Sequence, residues 1–238
     1  MDHRSKSPSI QPLKGQELNV ATAVKLEIPE VPEKAPEKVQ ITAPKIRTLR
    51  VRIKGTAPFV QLRFSEKAQK AMLDKQLNPV AKKRGGQREA KNPDELFEGA
   101  MYRTVDGEYG IPASSFRNAM IRACSLVGYK MTQAKMSIFI KADGVDAFDG
   151  TPLVFINGTP EPVMHPVRNA TGVADIRVRA MWREWEADLV IEYDADQFQE
   201  EDVANLLLRA GIQVGVGEGR PSSKNSAGMG WGTFVSVK

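Results

Sequence analysis

The sequence predicts an α+β fold on a βαββαβ plan. Three observations carry this. A basic, alternating run opens the region at 45–55, two amphipathic stretches stand at 113–128 and 199–211 with strand-like runs between them, and a glycine-rich segment leads into the last apolar run, "WGTFVSV". Two helices on one face of a sheet would leave the other face open.

The elements follow in order. Residues 1–44 hold six of the fifteen prolines, and "LEIPEVPEKAPEKVQITAP" alternates proline, glutamate and lysine. Such a stretch lacks the apolar density to repay ordering entropy, so a disordered tail is expected, serving as a passive linker or as a docking segment for a neighbouring subunit. The folded domain is expected over 45–238. In "KIRTLRVRIKG", Ile46, Leu49, Val51 and Ile53 are separated by bases, as in a half-buried strand with a basic outer face. A helix follows Ser65, a plausible N-cap. Between Ala81 and Lys91 five bases, including Lys82, Lys83, Arg84 and Arg88, face one acid. Two glycines and two flanking prolines make this a basic loop, solvated or in contact with nucleic acid. With Arg63 at its start, it belongs to a long insertion, about 64–109, after the first strand.

Asp106-Gly107 between tyrosine flanks signals a hairpin. In "ASSFRNAMIRACSLVG", Phe116, Met120, Ala123, Cys124 and Val127 share one helical face, Ser114 or Ser115 can cap the start, and Gly128 ends it. Cys124 lies on the buried stripe and reads as packing. "KMSIFIKA" and "TPLVFING" are strand-like. In "ADIRVRAMWREWEADLVIEYD" the alternation changes parity near Arg183-Glu184, which requires a turn or bulge. "QEEDVANLLLRAG" is a helix with acids in its first turn, Arg209 in its last and Gly211 as its cap.

The bulk numbers narrow the function. The chain has 238 residues, 41% hydrophobic and 26% charged, ordinary for a soluble protein. No apolar run approaches the roughly 20 residues of a membrane span, and the polar opening "MDHRSKSPSIQPLKGQ" is no signal peptide. One cysteine precludes an internal disulfide, and with two histidines it makes too few zinc ligands. No metal and no cofactor is expected, and a reducing cytoplasm fits. The net charge of +5 permits a nucleic-acid partner without demanding one.

Six glycines fall between Gly215 and Gly232. A phosphate-binding P-loop needs G-x-x-x-x-G-K-[ST] before a helix, and a dinucleotide fingerprint needs G-x-G-x-x-G opening one. "GVGEGRP" meets neither and precedes a strand. The segment is either a mobile turn or a loop presenting the amides of Gly217 and Gly219 with Arg220, Ser222 and Lys224, a set suited to a sugar-phosphate backbone. His165 lacks an orienting carboxylate nearby and reads as a loop or packing histidine. Asp143, Asp146 and Asp149 do not follow a calcium-loop spacing and read as a polar turn. Trp182, Trp185 and Trp231 either fill a core or stack on bases.

"GEYGIPASSFRNAMIRA" resembles the motif of the RAMP superfamily, the repeat-associated proteins that form the backbone of CRISPR effector complexes. In that family a strand leads through Ile-Pro-Gly-Ser-Ser into a helix with basic positions. Here Ile111, Pro112, Ser114 and Ser115 match, Ala113 replaces the usual glycine, and Arg117 and Arg122 fall near the basic positions. The family's glycine-rich loop before the last strand is similar to "GVGEGRPSSKNSAGMGWG". The resemblance covers roughly Lys45 to Lys238. It implies a ferredoxin-like, RRM-like core whose insertion reaches over a neighbouring copy, and binding rather than catalysis. Some members cleave RNA with an aspartate of that insertion; Asp74 and Asp94 are present, and no local motif singles out either. The expected partners are single-stranded RNA, further copies of the chain and other effector-complex subunits, with no membrane. Two alternatives stay open: a protein coating single-stranded DNA in a phage or mobile element, and a structural assembly subunit without nucleic acid.

Overall fold

The basic alternating run folds as β1 (Ile46–Gly55). Leu49, Val51 and Ile53 turn inward, while Arg50, Arg52 and Lys54 stay exposed. The computed structural model describes residues 41–64, 66–77, 92–168, 174–223 and 228–237, and the residues from Ala43 onward form one compact unit.

After β1 the chain makes an excursion: β2 (Phe59–Gln61), α1 (Glu66–Leu77), α2 (Pro93–Glu98), β3 (Tyr102–Arg103) and β4 (Tyr109–Pro112). The Asp106-Gly107 turn joins β3 and β4 in an antiparallel hairpin, as its sequence predicts. Then come α3 (Ala113–Cys124), α4 (Met131–Ser137) and β5 (Ile138–Lys141). A second excursion holds β6 (Gly144–Val145), β7 (Pro152–Phe155), β8 (Pro160–Arg168) and β9 (Ala174–Trp182). The chain closes with β10 (Glu186–Asp194), α5 (Glu200–Arg209) and β11 (Phe234–Val237).

The central sheet is antiparallel in the order β11-β1-β10-β5. With both excursions removed, the path is β1-α3-β5-β10-α5-β11, with spatial order 4-1-3-2. That is the ferredoxin-like βαββαβ plan. α3 and α5 cover one face, where Phe116, Met120, Val203 and Leu207 join Ile53, Leu189 and Ile191 in the core. Each such side chain contributes about 1.5–3 kcal/mol by leaving water. The other face keeps Arg50, Arg52 and Asp188 exposed.

The second excursion is larger than the sequence suggests. "TPLVFING" and "ADIRVRAMW" are strands, but neither joins the central sheet: β7 belongs to a sheet ordered β3-β4-β7-β6, and β9 to one ordered β2-β9-β8. The parity change at Arg183-Glu184 is the turn between β9 and β10, which lie in different sheets. β8 forms a free edge. Its register with β9 points the amide positions of 160, 162, 164 and 166 outward, and three of these are prolines. That edge therefore resists pairing with another strand.

Two expected caps fall elsewhere. Pro112, not a serine, occupies the N-cap of α3, and no side chain caps that helix. Gly211 does not end α5; a π-turn (Ala210–Val214) continues it until Gly215, at φ +71°. Gly211 is required for another reason: a Cβ there would lie 2.1 Å from the Phe234 carbonyl oxygen.

Of the three aspartates, Asp146 and Asp149 belong to a turn, while Asp143 stands before β6 and accepts from the Phe155 amide at 2.9 Å. Asp146 is buried and accepts from Arg63 Nη2 at 2.7 Å, from the Arg103 amide at 3.1 Å, and from the Phe148 and Asp149 amides at 3.1 and 3.2 Å. Asp149, at the end of this turn, is held below the usual carboxylate range chiefly by hydrogen bonds from Thr151. Trp182 and Trp185 are buried in the core, 0% and 2% exposed, so neither offers a face to a base. His165 packs against Trp231 with ring centroids 5.2 Å apart.

Cys124 is 1% exposed, and burial raises its thiol pKa. At neutral pH the folded protein is expected to resist a thiol-titrating reagent and to react fully once denatured; rapid labelling of the folded protein would contradict this packing.

Candidate nucleic-acid interface

Helical spacing places Ser115, Asn118, Ala119 and Arg122 on one side of α3, because the opposite side is committed to the core through Phe116, Met120 and Ala123. Facing them is the start of the glycine-rich loop. The π-turn carries the chain past the end of α5, and Gly215 reverses it, so that Val214 and Val216 tuck under α3 at 4% and 1% exposure. The two sides enclose a cleft of about 160 Å³, lined by Ser115, Asn118, Ala119, Arg122, the backbone from Val214 to Gly217, Arg220 and Ser222.

The described start of the loop, residues 214–223, is held by backbone hydrogen bonds. Val216 N–H donates to Gly232 O at 2.9 Å, Gly232 N–H to Pro58 O at 2.8 Å, and Glu218 N–H to Val60 O at 2.9 Å. Glu218 also accepts from Arg179 Nε at 2.7 Å, which ties the loop to β9. Gly217 has φ +75°, and a Cβ there would stand 2.5 Å from Val60 O; only glycine fits both conditions. Gly219 lies just behind the cleft under Trp231, where a Cβ would stand 2.5 Å from the indole ring.

The polar groups around the cleft are mostly donors. Arg220 Nη1 donates to Gly217 O at 2.8 Å, which orients its guanidinium. Among the described residues, the Arg122 guanidinium and the amide N–H of Gly217 have no partner, while the Arg220 amide closes the turn over Glu218 and Gly219. Ser222 Oγ is buried and also lacks a partner. Two guanidiniums, the bare Gly217 amide, two hydroxyls and the Asn118 carboxamide meet with no carboxylate in the lining. Such a set stabilises an anion. The hollow along α5, lined by Asn205, Leu208, Arg209, Ile212 and Gln213, is larger, at about 500 Å³, but holds one cation.

Of the residues singled out from sequence, Ser115, Arg122, Gly217, Arg220 and Ser222 come together here. Ser114 is exposed on the first turn of α3, outside the lining. Arg117 turns away: its Nε donates to Ile138 O at 2.8 Å, Nη2 donates to Lys135 O, and its guanidinium lies 5.0 Å from the Phe139 ring. Arg63 is committed to Asp146 and sits between the rings of Tyr102 and Phe148, at 5.2 and 5.1 Å. Lys82, Lys83, Arg84, Arg88 and Lys224 lie outside the described residues. Asn118 was not singled out. It stands three residues after Ser115 and four before Arg122, so helical spacing puts it on the side they share.

Asp74 is exposed on α1 and Asp94 sits in the first turn of α2, and neither lines the cleft. Among the described residues, no three His, Cys, Asp or Glu side chains group as metal ligands, and no helix is long and apolar enough to cross a membrane.

No protein-family model and no curated protein matches the chain. Among solved structures it is similar to a chain in the cryo-EM structure of the Type III-B Cmr-beta bound to cognate target RNA, with 10% sequence identity and a TM-score of 0.45. The match covers 82% of this chain and 60% of that one.

Proposed function

We propose that this protein is a RAMP-like subunit that grips the backbone of single-stranded nucleic acid, RNA in the first instance, with little regard for sequence. Copies line up along the strand in a ribonucleoprotein complex, together with other effector subunits, in a reducing cytoplasm. Residues 45–238 form the binding domain, the insertion at about 64–109 supplies further bases, and residues 1–44 form a tail. The role is binding, not catalysis.

The carrying observation is the convergence of Arg122, Arg220, the bare amide of Gly217 and Ser222 on one cleft without a carboxylate. Phosphate oxygens accept from all of these groups, and contacts confined to the backbone carry no sequence information. The test is a salt titration with a labelled single-stranded oligonucleotide. Affinity is expected to fall steeply and log-linearly as salt rises, and to vary little between sequences. Salt-independent binding, or none, would overturn the reading.

A further inference from the structure

We propose that Asn118 reads the sugar of the bound strand and makes the cleft select a ribose polymer over a deoxyribose one; this rests on the nucleic-acid reading above. Asn118 lies on α3 one turn after Ser115 and one turn before Arg122, and all three line the cleft. Its side chain is exposed and has no hydrogen-bond partner among the described residues. No structural task holds it there.

Size decides which part of a strand the cleft takes. At about 160 Å³ it falls below the roughly 300–1,000 Å³ of pockets that enclose a whole small molecule. That volume suits a phosphate and its sugar, with the base left outside the cleft. The arginines and the bare Gly217 amide only donate, which suits phosphate oxygens, and these only accept. Asn118 is different: its carboxamide is uncharged and offers a donor and an acceptor together, as the Ser115 and Ser222 hydroxyls do, and of the three it is the exposed one. On a nucleic-acid backbone the 2′-hydroxyl is the group that both donates and accepts, and it is present only in RNA. Val214, Val216 and Ala119 give the ribose carbons an apolar floor.

The experiment compares RNA, DNA and 2′-O-methyl RNA of one sequence by fluorescence anisotropy, using the full chain. One hydrogen bond corresponds to a preference of about three- to tenfold. The wild type is expected to favour RNA by that factor and to bind 2′-O-methyl RNA no tighter than DNA. Asn118→Ala should lose the RNA advantage and leave DNA affinity unchanged, and Asn118→Gln should recover part of it. Thermal unfolding of both variants should match the wild type, since the side chain is exposed. Three outcomes overturn the proposal while nucleic-acid binding stands: no RNA preference in the wild type, a preference that survives Asn118→Ala, or an equal loss on both polymers, which would assign Asn118 to phosphate. A wild type that binds none of the three removes the nucleic-acid reading and this proposal together.

Discussion

Asp146→Ala is expected to destabilise the fold by about 3–5 kcal/mol, lowering the thermal midpoint by roughly 6–20 °C. The side chains of Asp146 and Arg63 are 1% and 10% exposed and meet at 2.7 Å. Removing the carboxylate leaves a buried guanidinium without its counter-charge. It also strips an acceptor from the amides of Arg103, Phe148 and Asp149, so β3 and the turn before β7 lose a shared anchor. Asp146→Asn separates these contributions: it keeps an acceptor for the amides but not the charge, and should fall between wild type and alanine. Pairing Asp146→Asn with Arg63→Met should recover stability, because a neutral pair leaves no buried charge. Scanning calorimetry measures all three. A loss below about 1 kcal/mol for Asp146→Ala would mean that Arg63 finds water or another partner.

The sequence made the frame of this fold readable where one physical signal dominated. β1, α3 and α5 each bury one face, so their periodicity is clean: Ile53, Met120 and Leu207 sit where the pattern put them. The assignment of strands to sheets was not readable. β7 is a short apolar run, Pro-Leu-Val-Phe, and β9 alternates in sequence as β10 does; neither pattern says which sheet its strand joins. α2 carried a legible start, Asn92-Pro93-Asp94-Glu95, with the Asn92 side chain accepting from the Asp94 amide; the basic composition around it hid the signal. α4 spans seven residues, too few to show a helical period.

For the proposed site, the resemblance and the glycine placement pointed to α3 and the glycine-rich loop, which meet at one cleft, but could not sort the arginines. Arg117 and Arg122 are five residues apart, which turns them to different sides of α3. One satisfies the Ile138 and Lys135 carbonyls, and the other lines the cleft. Arg63 reads as a surface cation until the fold brings Asp146 beneath it. A sequence shows that a charge exists, and only tertiary packing shows whether it is already spent on a neighbour.

Arg122→Ala combined with Arg220→Ala should weaken binding to single-stranded RNA on the order of 30- to 150-fold at moderate salt. Each charge-assisted contact in a partly exposed cleft contributes about 1–1.5 kcal/mol, and 1.4 kcal/mol is tenfold in affinity. Stability should change little, because Arg122 is exposed and Arg220 contacts only its own loop. Arg117→Ala should do the reverse, costing stability by freeing two carbonyls while leaving affinity nearly intact.

The most direct measurement is the slope of log Kd against log salt concentration for the wild type and the Arg122→Ala, Arg220→Ala variant on one RNA. Each phosphate contact on a single strand contributes about 0.7 to that slope. Two arginines sharing one phosphate predict slopes that differ by about 0.7, with the two lines converging at high salt. Slopes that coincide would contradict it, since the polyanion would then be held somewhere else on the molecule.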